Sequence, residues 1–86
     1  MQIIIYEEQI ERKLISFLRK DKLSMHEERI LDFLELAQSA TEIQDILSFS
    51  YMNICALGDG KYEIRSGTNK TFTFETDGTA VTVLSL

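Results

Sequence analysis

The chain has one cysteine, Cys55, and one histidine, His26, among its 86 residues. A single thiol excludes an internal disulfide, and with only one imidazole beside it the multi-cysteine and Cys/His zinc sites are excluded too. Glycine is absent from the first fifty residues; all four glycines fall at 58, 60, 67 and 78. Basic residues are in deficit: 9 Lys and Arg face 14 Asp and Glu, for a formal charge of −5. Unassisted binding to DNA or RNA rests on neutralising phosphates, so a generic nucleic-acid binder, and non-specific DNA binding in particular, is disfavoured. Long apolar runs are missing as well. At the N-terminus only three consecutive isoleucines precede the first acids. We therefore expect no signal peptide, no membrane-spanning segment and no membrane partner, with a reducing cytoplasm as the compartment.

What is present is ordinary for a globular domain: 44% hydrophobic and 27% charged residues. The length fits a single domain over residues 1–86, with modest stability of about 5 kcal/mol and little room for a large internal cavity. Two regimes meet near residue 50, and the acids concentrate in the first. Residues 1–50 carry 10 acidic and 6 basic side chains, against 4 and 3 in residues 51–86. Such a charge run reads either as a solvated helical surface or as a face that docks on something basic.

Residues 2–6 are a continuous apolar, β-branched run and predict a short, central strand. From Glu7 to about Lys20, the apolar positions Ile10, Leu14, Phe17 and Leu18 mark one face of a helix. Its leading Glu7 and Glu8 and trailing Arg19 and Lys20 suit the helix dipole. Ser24 followed by Glu27 has capping-box spacing, and Ile30, Phe33, Leu34 and Ala37 carry a second helix to about Gln38. Thr41 and Gln44 repeat the cap signature before a short third helix, or a broken continuation of the second, with Ile43, Ile46 and Leu47. Residues 48–57 lack clean periodicity and read as partly extended. Gly58-Asp59-Gly60 is a turn, Tyr62 and Ile64 alternate with polar neighbours, and Gly67-Thr68-Asn69 turns the chain again. Phe72 and Phe74 define the next strand, Asp77-Gly78 is a strong hairpin signal, and Val81 and Val83 carry the last strand. The expected fold is α+β: an N-terminal strand, two to three helices, then a three-stranded antiparallel meander.

The string Leu57-Gly58-Asp59-Gly60-Lys61-Tyr62-Glu63-Ile64-Arg65 has the form L-x-x-G-x-Y-E-I-R. With the following hairpin, and with the order of elements, it resembles the RelE/ParE/HigB superfamily of toxin–antitoxin toxins, above all the phage-derived HigB-like branch. The resemblance implies a RelE-like fold, a cognate antitoxin as partner, and endoribonuclease action on mRNA at the translating ribosome. It places Arg65 on the family's motif arginine. Three departures stand beside it. Family toxins are usually basic, whereas this chain is acidic. HigB-like toxins continue into an H-G-F-x-K-K tail, whereas the last residues here are Leu84-Ser85-Leu86. Where the family often has Arg leading the third strand, this sequence has Lys70. A relative of that fold without catalysis, acting by protein binding, is thus a second reading. A third is a small acidic phage-type inhibitor that mimics phosphate to block a nucleic-acid-handling enzyme.

RNA cleavage needs acid–base groups and cations converging on one phosphate. Lys61, Glu63 and Arg65, on one strand face, with Lys70 across a short turn, are the mixture that fits; the alternative is an ordinary solvated strand face. Under the inhibitor reading the carriers are Glu27, Glu28, Asp32 and Glu35. Tyr62 reads as a core aromatic, Cys55 as a buried small hydrophobe and His26 as exposed. A small cationic edge on the first helix (Arg12, Arg19, Lys22) is explained by surface ion pairs. Nothing in the sequence asks for a cofactor or a metal: there is no Gly-rich phosphate loop, Walker motif or GxSxG elbow.

Overall fold

The computed structural model describes residues 1–49, 52–67 and 69–86. Its elements run β1 (Gln2–Ile4), α1 (Glu8–Leu18), α2 (Met25–Ser39), α3 (Ile43–Leu47), β2 (Ile54–Gly58), β3 (Lys61–Gly67), β4 (Lys70–Thr76) and β5 (Ala80–Ser85). The expected extended stretch at residues 50 and 51, and Thr68 in its turn, lie outside the described residues.

The chain is α+β as expected, but the sheet differs from a three-stranded meander. It has five strands in the order β1-β5-β4-β3-β2 and is mixed, because β1 runs parallel to β5 while the other neighbours are antiparallel. The N-terminal strand is therefore an edge, not the centre. Its run of isoleucines follows from two separate demands. Ile3 lies level with Val81 on the helix side, while Ile4, level with Thr82, packs at the other face near Tyr6. The fifth strand comes from β2, where the sequence showed no alternation. Asn53 explains part of that: it enters the strand with φ +54, a left-handed turn that breaks the pattern.

α2 is the element that holds the layers together, lying across β1, β3 and β4. Its Ile30, Phe33 and Ala37 are buried against Ile64, Phe72, Phe74, Val81 and Val83 of the sheet. α1 adds Ile10, Leu14 and Phe17, and α3 adds Ile46; Leu34 is only partly buried. Phe33 sits among rings, 4.6 Å from Phe74 and 5.5 Å edge-on from Phe72, centroid to centroid. Tyr62 is half-buried and stacked on Phe74 at 5.2 Å, as its phase with Ile64 predicted.

The caps are local. Ser24 and Glu27 form the expected capping box: the Glu27 N–H donates to Ser24 Oγ at 3.2 Å, and the Ser24 N–H donates to Glu27 Oε1 at 2.9 Å. At α3 the expected Thr41–Gln44 pair is displaced by one residue. Asp45 does the capping, accepting from the N–H groups of Thr41 (3.0 Å) and Glu42 (3.2 Å) and from Thr41 Oγ1 (2.9 Å). A carboxylate accepts such bonds more strongly than the Gln44 amide would.

Two tight turns fix the hairpins. Asp59 and Gly60 both have positive φ, the geometry of a type I′ turn whose twist matches the flanking strands. Gly60 is further constrained by β4: its carbonyl accepts from the Thr76 N–H at 2.9 Å, and a Cβ there would stand 2.7 Å from the Thr76 carbonyl oxygen. In the β4–β5 turn, Asp77 Oδ1 accepts from the Thr79 N–H, the Thr79 hydroxyl and the Ala80 N–H at 2.8 to 3.1 Å. These donors favour the ionised carboxylate and hold Asp77 down to a pKa of about 2.

Two substitutions test this architecture by thermal melting. Phe33→Ala should cost about 3–5 kcal/mol, which in a chain of this size lowers Tm by on the order of 15 °C or more. A shift of only a degree or two would place Phe33 outside the core. Gly60→Ala meets both a positive φ and a backbone oxygen, and should cost about 1–3 kcal/mol.

Candidate functional site

The capping box at α2 sets the position of the next residue in the chain's chemistry. His26 lies in the first turn of α2, beside the buried Glu27, and reaches the sheet. Its Nδ1 is hydrogen-bonded to Ser66 Oγ, and its ring stands edge-on to Phe72 at 6.1 Å. His26 is thus half-buried, not exposed as the sequence suggested. Ser66 is only 3% exposed, and its hydroxyl donates to the Lys70 carbonyl at 3.4 Å. A hydroxyl has one hydrogen, so with that hydrogen on Lys70 the Ser66 oxygen accepts from His26 Nδ1–H. The neutral ring then keeps the lone pair on Nε2.

Lysines surround this imidazole. A cleft of about 430 Å³ between α1, the start of α2 and the start of β4 is lined by Lys13, Phe17, Lys20, His26, Glu27 and Lys70, together with Ser24 and Leu86. Lys20 Nζ bonds Glu27 Oε2 and lies 5.6 Å from the centroid of the Phe17 ring. Burial lowers the His26 pKa below 6.5, the nearby Lys70 and Lys13 charges lower it further, and Glu27 opposes them. The imidazole is therefore neutral at pH 7. Glu27 is also pulled down, to about 2, by the Lys20 hydrogen bond first and the Ser24 backbone N–H next.

Lys70 also faces a second, adjoining groove of about 460 Å³, lined by Glu63, Arg65, Gly67, Asn69 and Thr71. The alternation predicted for β3 holds: Lys61, Glu63 and Arg65 project to the sheet face away from the helices, level with Glu75, Thr73 and Thr71 of β4. Arg65 and Lys70 share the groove, and the Arg65 Nε lies 3.9 Å from Glu63 Oε1. Lys61 does not join them. It lies on the same face four residues along β3, roughly 13 Å from Arg65 along the backbone, outside the lining of that groove.

The four acids proposed for the inhibitor reading divide. Glu28, Asp32 and Glu35 are exposed on α2 and follow i, i+4, i+7, one face of the helix. Asp32 and Glu35 border a shallow depression with Leu36 and Ser39. Glu27 points the other way. It is 9% exposed, and the cap and Lys20 occupy its carboxylate. The Arg12 guanidinium on α1 is held by Glu8 at 2.6 Å on the surface.

Sequence reasoning missed His26, Ser66, Lys13 and Lys20. One signal was available. Ser66 continues the inward phase of Tyr62 and Ile64, and a hydroxyl at a core position needs a partner. Cys55 was also misplaced: it is exposed, because it alternates with Ile54 on β2 and so faces away from the helices at the sheet's edge. Among the described residues no group of three or more His, Cys, Asp or Glu is arranged to hold a metal ion, and no helix is long and apolar enough to cross a membrane.

No protein-family model, curated protein or solved structure matches the chain. The site offers a neutral imidazole with a free lone pair, three lysines lining the same cleft, of which Lys20 is bonded to Glu27, and a guanidinium in the next groove. That combination can hold a phosphate and take a proton from a neighbouring hydroxyl.

The Glu27 contacts predict a pH dependence. With its pKa moved from 4.5 to about 2, the carboxylate contributes stability above pH 4.5, and that contribution is lost as pH falls through about 2. Glu27→Gln should lower Tm at pH 7, and the gap from the parent should close as pH falls to about 2. A gap that stays constant across that range would mean the charge of Glu27 does not stabilise the fold.

Proposed function

We propose that the protein is a RelE/HigB-type toxin-fold endoribonuclease in the cytoplasm, with the Lys70-centred cleft as its phosphate site. It acts on mRNA at the translating ribosome and is restrained by a protein antitoxin. The observation that carries this reading is the convergence of His26, Lys13, Lys20 and Lys70 in a chain whose net charge is −5. The L-x-x-G-x-Y-E-I-R string supports it by matching Arg65 to the family's motif arginine, and Arg65 shares a groove with Lys70.

In the proposed reaction a 2′-hydroxyl attacks the adjacent phosphorus, forming the P–O2′ bond while the P–O5′ bond breaks. His26 Nε2 takes the 2′-hydroxyl proton, and the Lys70 ammonium gives a proton to the departing 5′-oxygen. Lys13 and Lys20 offset the charge on the phosphorane, and Arg65, in the adjoining groove that shares Lys70, holds a neighbouring phosphate of the same strand. The acidic exterior fits a ribosome-bound substrate. A chain of this charge gathers little free RNA by phosphate neutralisation, so the substrate must be positioned by something else.

Expression should arrest growth and translation. His26→Ala should lower cleavage by about 10²- to 10⁴-fold, as expected for losing a general base. Arg65→Ala together with Lys70→Ala should relieve the arrest while leaving the melting curve of the protein near that of the parent. The pH profile carries a further sign. A base with a pKa below 6.5 stays active as the medium falls through pH 6.5, so the rate should decline only at lower pH. Arrest that persists in the Arg65/Lys70 double variant ends the catalytic reading.

The exposed row Glu28, Asp32 and Glu35 favours a second reading, a phosphate-mimicking inhibitor. Changing those three acids to Gln or Asn should then abolish the effect on the host, and added salt should weaken the complex. Under the nuclease reading the same changes leave cleavage intact.

A further inference from the structure

The sheet has two outer strands, and they are not equivalent. β1 offers three residues, whereas β2 offers five, Ile54–Gly58, none of them charged. Natural sheets blunt an edge with charges, prolines, bulges or a covering element. The chain contains no proline, and Cys55, Ala56 and Leu57 are exposed. Among the described residues one such device is present, a bulge between Ala56 and Gly58, which confines straight pairing to residues 54–56.

The backbone of that short stretch has a defined polarity. The Asn53 carbonyl accepts from the Arg65 N–H at 3.4 Å and so points toward β3. Across the trans peptide, the Ile54 N–H points away from β3. Strand alternation sends the Ile54 carbonyl and both backbone groups of Ala56 the same way, while those of Cys55 face β3.

We infer that β2 pairs with β2 of a second copy of this chain, antiparallel about a two-fold axis at Cys55. This inference is independent of the proposed activity. The axis sets Ile54 of each copy opposite Ala56 of the other, so every outward N–H meets an outward carbonyl and four hydrogen bonds close. Charge selects the occupant. The cleft of about 790 Å³ that straddles this edge is lined by Leu47, Phe49, Asn53, Ile54, Cys55, Ala56, Tyr62 and Arg65, with no acid among them. The acid nearest the axis is Glu63, level with Cys55 on β3, and its carboxylate lies 3.9 Å from Arg65 of the same chain, so two copies of an acidic chain meet here with that charge offset. The pairing covers Leu57, 55% exposed, and Phe49, 41% exposed. A basic partner would be drawn instead to the acids of α1 and α2. With only three paired residues on each side the interface is small, so the dimer is weak and concentration-dependent.

Cys55 reports on the geometry. At the axis it occupies a non-hydrogen-bonded pair, with Cα atoms about 4.5 Å apart, within the span of a disulfide. Sedimentation of the reduced chain over a concentration series should show a dimer, and mild oxidation with copper phenanthroline should trap it as a Cys55–Cys55 crosslink. Cys55→Ser should keep the dimer and lose the crosslink. Ala56→Lys, a charge on the free edge, should weaken association about tenfold or more. Ala56→Pro removes only an outward N–H and should do the same without lowering Tm. Should either variant fold poorly, amide exchange on the parent decides: protection at Ile54 and Ala56 must rise with concentration. A chain that stays monomeric throughout, a dimer indifferent to both Ala56 changes, or exchange at these amides independent of concentration would each overturn the inference.

Discussion

Everything else in this small protein leans on one contact, the Phe33 ring of α2 set between Phe72 and Phe74 of β4. Eighty-six residues leave little apolar area to spare, so a few large rings must supply much of the burial. The contact is also the middle of a chain of rings. Tyr62 stacks on Phe74, Phe74 meets Phe33, Phe33 meets Phe72, and Phe72 meets the edge of His26. One end of that chain lines the cleft along β2, and the other lines the lysine cleft. Both surfaces are therefore positioned by the same core.

How much of this could be read from the sequence depended on whether local chemistry or distant partners decided the matter. The Ser24–Glu27 cap, the three helices and the turns at Gly60 and Gly78 are local, and each was legible. The edge position of β1 was not. An isoleucine run is compatible with a strand buried on both faces by its neighbours or by packing alone, and its parallel partner lies nearly eighty positions away at Val81. β2 was obscured by the left-handed Asn53 and by the lack of polar alternation. With β2 unplaced, Cys55 looked like core.

The candidate site divides in the same way. Glu63 and Arg65 were legible because strand alternation fixes their face, and Lys70 because a short turn fixes its distance. Lys61 shares their face but sits at the other end of β3, outside the groove that Arg65 and Lys70 line. His26 was hidden because no local pattern links residue 26 to residue 66. A polar inward position on β3 needed a donor, and only the packing of α2 on the sheet says which.

The two neighbours in the first turn of α2 show what the lysines do. Cations lower the pKa of both, yet the outcomes are opposite in charge. For Glu27, Lys20 stabilises the ionised form, so the residue stays negative down to about pH 2. For His26, burial, Lys70 and Lys13 disfavour the ionised form, so the residue stays neutral below its ordinary range. Their linkage to stability has one sign: each contribution is present above the ordinary pKa and lost as pH falls past the lowered one. The same field that retains the cap at Glu27 keeps the His26 lone pair free. A cationic cleft with a neutral base inside it is thus held by the fold's own electrostatics, and it costs the protein stability only on the acid side.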